Sequence, residues 1–278
     1  MSTSRLKNII LLVLLVCALG LSAVAIPNRL SQTREQRQML AELRTLYAGY
    51  ALTLELDALP QEATLYSIEL SDAGQQTAAQ ALLGSRAAHS GGEERFESVY
   101  TAEGGTLTMT RSGGFTAVLT GRSAVKNPEK AARKLLRSMG FQPLTLQRTQ
   151  TEGSRTTLHA GQSLLGVPVL SDGLELCYED GCLTAVSGTF YTGNETITRV
   201  SEQPCISGAD ALAQMLAARD ALGWVGSSVT GLYQAYQPTD TAASGIRFVP
   251  VWIVQTDAGS FCVNAITREI TAHSEPNA

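Results

Sequence analysis

Asn127-Pro128-Glu129-Lys130-Ala131-Ala132-Arg133-Lys134-Leu135-Leu136-Arg137-Ser138-Met139-Gly140 is a helix spelled out in local signals. Asn127 is a capping residue, Pro128 is preset for the first helical position, and Glu129 suits the positive end of the helix dipole. Ala132, Leu135, Leu136 and Met139 recur at helical spacing, and Gly140 supplies a left-handed stop. Eighty residues further on, Ser207-Gly208-Ala209-Asp210 opens a second helix with a capping box, and Leu212, Met215, Leu216 and Leu222 form its stripe.

Working outward, each helix leads into alternating, turn-punctuated sequence. After the first come strands near 144–149 and 155–161, then Val167-Pro168-Val169-Leu170 and a two-residue hairpin turn at Asp180-Gly181. After the second come strands near 229–236, then Val249-Pro250-Val251-Trp252 and a hairpin around 257–260. The V-P-V element lies 41 residues after Asn127 and 43 after Ser207, and the turn lies 53 and 50 residues after them. Self-similarity of this kind predicts two units of a helix followed by an antiparallel meander. A third, degenerate copy fits 72–121: a short helix from Asp72 to Leu83, a strand at 97–102, and a hairpin over 105–121 folded around Gly113-Gly114. A loop is expected at His89–Arg95 and a strand at 63–70.

Upstream, Ile9 to Ile26 is an uncharged apolar run preceded by Arg5 and Lys7. As a helix it would span about 27 Å, close to the hydrocarbon thickness of a bilayer. An uncleaved anchor fits best, because the run is longer than an ordinary signal h-region of about 7–15 residues. The competing reading is a secretory signal cut after Ala25, since Ala23-Val24-Ala25 has the small-x-small pattern. Cys17 follows the bulky Val16, which disfavours lipidation there. Arg29, Arg34, Arg37 and Arg44 outnumber Arg5 and Lys7, a bias that opposes an N-terminus-inside orientation. Leu40, Leu43, Tyr47, Tyr50 and Leu54 then follow at helical spacing, either a helix docking on its own domain or a seam for a partner helix.

The remaining composition narrows the function classes. The formal charge is −4, and no Lys/Arg run interleaved with aromatics tracks a phosphate backbone, so nucleic acid is not expected as a partner. Outside the leader, Cys177, Cys182, Cys205 and Cys262 are too sparse for a disulfide scaffold. In a regular hairpin Glu179 would pair with Cys182 and Cys177 with Thr184, leaving Cys177 and Cys182 diagonal, about 7–8 Å apart and too distant for a disulfide unless the hairpin is bulged. His89, His159 and His273 are scattered, with no H-E-x-x-H, nucleophile elbow or phosphate loop in the chain. Ser123-Ala124-Val125-Lys126 matches S-x-x-K, but it precedes the helix start, and the K-T-G partner motif is missing. Glu179-Asp180 suits a turn, Glu93-Glu94 a solvated loop, and Asn194-Glu195-Thr196 is a glycosylation sequon. No catalytic, cofactor-binding or metal-ligating residue is assigned. Tyr233, Tyr236, Phe248 and Trp252 cluster in the last unit, as cross-strand packing or as a partner-binding edge.

The anchor, the helix-plus-meander unit and the stretch Val249-Pro250-Val251-Trp252-Ile253…Phe261-Cys262-Val263-Asn264-Ala265-Ile266-Thr267-Arg268-Glu269-Ile270 together resemble YycI/YycH-type proteins with PepSY-like folds. The resemblance covers the anchor and residues 120–272, with a looser match over 55–120. It implies a membrane-anchored regulator of a WalK-like sensor histidine kinase in a Gram-positive bacterium, with an accessory YycH-like partner and no catalytic residues.

The expected fold is therefore α+β: an N-terminal transmembrane helix, then antiparallel sheets with helices on one face, in duplicated units. The expected divisions are a cytoplasmic N-terminus (1–8), an anchor (9–26), a juxtamembrane helix (27–54), an N-terminal α+β subdomain (55–121) and two helix-plus-meander units (122–200 and 201–273). The bulk of the chain is expected outside the cytoplasm on a single-pass anchor. Leu40, Leu43, Tyr47, Tyr50, Tyr233, Tyr236 and Trp252 are the candidate partner-binding residues. The alternative is a secreted PepSY-like inhibitor or chaperone of an envelope peptidase.

Overall fold

The computed structural model describes residues 34–60, 63–69, 72–89, 97–141, 143–191, 197–200, 204–240 and 245–274. The expected anchor at 9–26, the sequon at 194–196 and most of the 89–95 loop lie outside the described residues. Among the described residues no helix is long and apolar enough to cross a membrane.

The architecture is a mixed α+β fold dominated by two antiparallel sheets. The larger sheet begins after α2 (Asp72–Leu83) with β3 (Ala88–His89), β4 (Glu97–Ala102), β5 (Gly105–Thr110) and β6 (Gly114–Leu119). It continues after α3 (Pro128–Ser138) with β7 (Pro143–Glu152), β8 (Arg155–Leu164), the short β9 (Val167–Pro168), β10 (Leu174–Glu179) and β11 (Cys182–Thr189). The spatial order β3-β4-β5-β6-β11-β10-β8-β7 places two four-stranded meanders back to back, joined through β6 and β11. The degenerate third copy thus has a counterpart in the fold, within the same sheet as the first unit. Left alone, β6 and β11 would each expose a row of unpaired backbone groups, and pairing removes both edges.

The expected boundary at 121/122 therefore falls inside one sheet. The 55–121 segment is itself split, because β2 (Tyr66–Glu69) belongs to the smaller sheet, and the expected juxtamembrane helix 27–54 ends not as helix but in β1 (Thr53–Leu54) of that same sheet. That sheet comprises β1, β2, β12 (Thr198–Arg199), β13 (Ser228–Asp240), β14 (Gly245–Thr256), β15 (Gly259–Asn264) and β16 (Ile270–His273). Its last four strands follow α4 (Gly208–Ala217) and a separate turn of helix, α5 (Arg219–Leu222), so the expected stripe 212–222 is broken at Ala218. The V-P-V elements are not equivalent either. Val167-Pro168 forms an edge bridge to β8, whereas Val249-Pro250-Val251 lies within β14. Asp180-Gly181 turns the third hairpin of its meander and 257–258 the second of the other, so the matching offsets do not align the two units strand by strand.

Proline inside a central strand removes a ladder donor, yet β14 accommodates Pro250. One flank of β14 pairs with β13 along its length. The other flank pairs with β2 from Gly245 to Phe248 and with β15 from Val251 to Thr256. The Pro250 carbonyl accepts from Ala265 N–H at 3.0 Å on this second flank. The absent N–H of Pro250 faces the same way, toward Ala265, whose carbonyl accepts instead from Ile206 N–H at 2.8 Å.

The helix caps match their sequence signals. Asn127 Oδ1 accepts from Lys130 N–H at 2.9 Å, and Ser207 and Asp210 form a reciprocal capping box. Asp180 and Gly181 both adopt positive φ, as a primed hairpin turn requires. Glu179 opposes Cys182 as expected, but a bulge between Cys177 and Tyr178 sets Cys177 against Ala185 rather than Thr184, and the four described cysteines are free thiols.

Side chains from α2, α3 and one face of the larger sheet form one core, with Leu82, Leu107, Phe115, Leu136, Leu158 and Leu174 fully enclosed. A smaller core joins the sheets. Leu164, Val169 and Tyr191 from the larger side meet Ile68, Tyr236, Ile246 and Phe248 from the smaller. Buried Gln162 completes the joint by pairing its side-chain amide with the Tyr191 backbone in both directions, at 2.8 and 2.9 Å.

Gly188 sits where β11 meets β10, at φ +125°, and a Cβ there would overlap the Gly173 carbonyl oxygen. Gly188→Ala should destabilise the fold by more than about 2 kcal/mol. Gly153→Ala, at φ +61° with open space around it, should cost about 1–2 kcal/mol. Equilibrium urea denaturation of both variants measures the difference.

Candidate interaction surface

Residues 34–49 form α1, whose apolar positions fall into two adjacent stripes. Leu40, Leu43 and Tyr47 are buried in the core of the smaller sheet, with Leu54 and Leu56 beneath and Leu212, Met215 and Trp252 opposite. Tyr47 is fully enclosed, and its hydroxyl donates to the Leu212 carbonyl of α4 at 2.9 Å. Burial holds its phenol well above the usual range. The C-terminal end of α1 is fastened by Arg44, which donates to the Leu56 carbonyl at 2.5 Å, and by Arg219, which reaches the Tyr50 carbonyl at 3.5 Å.

The second stripe faces outward. Met39, Leu46 and Tyr50 are 43%, 44% and 57% exposed, large values for apolar side chains. They are seven and four residues apart, so they stack along one line of the helix surface. Val225, 89% exposed, follows Trp224, over whose ring the Arg219 guanidinium lies at 5.7 Å. Arg219 thus touches both the Tyr50 backbone and Trp224, the residue before Val225.

The other expected binding residues have other surroundings. Trp252 is completely buried and its Nε1 donates to the Ile206 carbonyl at 3.0 Å. Tyr236 packs edge-on against Tyr66 and Phe248 in the joint between sheets, at ring separations of 6.0 and 6.3 Å. Tyr233 is half-buried against Ala235, Val251, Ile253 and Cys262 on the face of β14 away from α1. Of the seven, Tyr50 alone presents a largely exposed ring, while Met39, Leu46 and Val225 were missed. A second stripe beside Leu40-Leu43-Tyr47 was the available signal.

Titratable residues gather elsewhere without closing into a site. On the open face of the larger sheet, Cys177 Sγ donates to Glu175 at 3.3 Å, Arg155 donates to Cys177 Sγ at 3.6 Å, and His159 Nε2 lies 3.8 Å from Glu175. Among the described residues no three His, Cys, Asp or Glu side chains are placed to hold a metal. Ser123 and Lys126 are exposed in the segment before α3 rather than on one helical turn. His89 lies in β3 beside Tyr100 and His273 in β16, not in the expected loop and tail. A cleft of about 410 Å³ opens between residues 63–65 and the start of α4, lined in part by Arg199, Cys205 and Asp210. The Asp210 carboxylate is already spent on Ser207, accepting from its N–H and hydroxyl at 3.1 and 2.7 Å. Burial pushes the Cys205 thiol up.

Tyr47→Phe should cost about 1 kcal/mol by orphaning the bond to Leu212, and Tyr47→Ala about 3–5 kcal/mol by emptying the α1 seat, both measured by chemical denaturation. Burial also pushes Tyr178 up to about 12, and Tyr47 and Tyr236 higher still. Phenols raised in the folded state favour folding in full below the unfolded pKa of about 10, and that contribution is lost as pH climbs through the folded values. Absorbance at 295 nm should therefore show these three tyrosines ionising only as the protein unfolds above about pH 10.

No protein-family profile matches the chain, and no curated protein matches it. Solved structures do. An uncharacterized protein from Eubacterium rectale aligns at 9% identity over 80% of this chain and 90% of its own, with a TM-score of 0.41. The YpeB C-terminal domain of Bacillus megaterium aligns at 13% identity over 75% of this chain and 100% of its own, with a TM-score of 0.36. YycH from Bacillus subtilis aligns at 12% identity over 73% of this chain, with a TM-score of 0.33, and the alignment spans 52% of the YycH chain.

Proposed function

We propose that the chain is a non-enzymatic, single-pass membrane-anchored regulator whose folded part lies outside the cytoplasm and modulates a WalK-like sensor histidine kinase by direct contact. The observation that carries this reading is the seating of α1. The helix follows the uncharged 9–26 run and is sealed into the smaller sheet by Leu40, Leu43 and Tyr47. A helix fixed in this way ties the folded body to whatever holds its N-terminal end. Anchoring in a bilayer would hold the body close to the membrane, where a neighbouring receptor presents its own juxtamembrane segments. The kinase assignment is drawn from the resemblance of residues 249–270 to YycI/YycH-type proteins, and an accessory YycH-like protein is the expected third party.

Exchange of residues 9–26 for an unrelated apolar helix tests the membrane contact. Kinase output, read from a target promoter in the host, should change although the protein still reaches the membrane. Unchanged output would remove the anchor from the mechanism. The pattern Ala23-Val24-Ala25 supports the second reading, a secreted inhibitor or chaperone of an envelope peptidase. Intact mass of the mature protein separates the two: the anchored regulator retains its leader, and the secreted form begins at Ile26.

A further inference from the structure

We infer that the outward stripe of α1 is a docking seam for a single amphipathic helix of a partner protein, one with an apolar line flanked by Lys or Arg. The inference rests on the reading of the chain as a contact-acting regulator, and it specifies the surface and the chemistry of that contact.

Four observations define the seam. Met39, Leu46 and Tyr50 are aligned and exposed, while the neighbouring stripe is filled by the chain's own core. At about 100° per residue, Glu35 and Glu42 fall together on the side of the seam away from the buried stripe. Both are exposed, and neither makes an ion pair among the described residues; Glu42 accepts only from Gln38, one turn earlier, at 3.0 Å. On its other side the seam is bounded by the body of the domain, through Leu40, Leu43 and Tyr47. The open approach is thus apolar along its centre and acidic along its free edge.

Charge decides among the occupants. A second copy of α1 packed antiparallel would bring acidic edges together. Packed parallel, it would set Glu35 and Glu42 against Gln36 and the buried Leu43 side of its mate. Neither arrangement supplies a cation. A helix with Lys or Arg beside its apolar line does, at the seven-residue spacing of Glu35 and Glu42. The apolar line supplies the contact area, and the charged edge selects the partner and its register.

The test uses the full-length chain in nanodiscs and two designed helical peptides of about three heptads, identical in their apolar line and differing only in Lys or Glu flanks. Fluorescence anisotropy should show the Lys-flanked peptide binding about tenfold or more tightly than the Glu-flanked one at low salt. Glu35→Lys with Glu42→Lys should reverse that preference. Leu46→Asp should abolish binding of both peptides while leaving the thermal midpoint within about 2 °C, because the side chain is exposed. Equal binding of the two peptides, no binding of either, or a preference unmoved by the double charge reversal would overturn the inference. So would formation of a disulfide-linked homodimer by Leu46→Cys in the nanodisc, which assigns the seam to a second copy. None of these outcomes bears on the leader exchange, so the docking surface and the regulatory reading fail separately.

Discussion

A strand buried on both faces cannot alternate apolar and polar residues, because neither set of side chains reaches water. β14 is such a strand. Trp252 and Val254 point into the core beneath α1 and α4, while Val251 and Ile253 point into the opposite cluster with Ala235 and Cys262. All four are completely buried. Withdrawing each large side chain from water is worth roughly 1.5–3 kcal/mol, but only if both faces are covered. The constraint therefore recruits two covers. One is the helical pair α1 and α4. The other includes the segment after β9, where Val169 bridges to Tyr236 and Leu170 N–H donates to the Tyr236 carbonyl at 2.7 Å. That second cover ties the smaller sheet to the larger, and Gln162, Tyr191 and Phe248 complete the junction.

Elements governed by near neighbours along the chain were legible in the sequence. The Asn127 cap, the Ser207–Asp210 capping box and the Asp180-Gly181 turn each rest on backbone geometry within four residues, and each lies where its signal put it. The joining of β6 to β11, and of β1 and β2 to the last meander, was not legible. Such pairings spend edge groups that every strand possesses, and no residue marks which edge will meet which. The bulge at Cys177 and Tyr178 shifted a register that a regular turn would have preserved. The similar spacing of the V-P-V elements and turns does not mark superposable positions, because the same offset takes in β7 to β10 in one unit and only β13 and β14 in the other.

The candidate interaction surface was half legible for a related reason. Helical periodicity identifies an apolar line but not the width of the surface that covers it. The stripe through Leu40, Leu43 and Tyr47 is spent on the chain's own core, and by Tyr50 the line has rotated out from under the sheet. Met39 and Leu46 lie beside it at equally good spacing. Only packing reveals that the cover stops between the two lines. The aromatic residues of the last unit mislead in the opposite sense, since Tyr236 and Trp252 look like a recognition cluster but occupy two different cores.

The contacts that seat α1 also determine how any displacement of it must be shared. Tyr47 is bonded to α4 through Leu212, the Ile206 carbonyl just ahead of α4 receives Trp252 of β14, and β14 is locked by β13 to the bridge at Val169. Each link is a buried hydrogen bond or a packed apolar surface, and close-packed interiors deform little before they break. These contacts make α1, α4 and the smaller sheet one closely packed unit. Under the proposed reading, a partner on the open face of α1 would therefore act on the position of the whole packed body, with the acidic edge of α1 selecting the helices that take part.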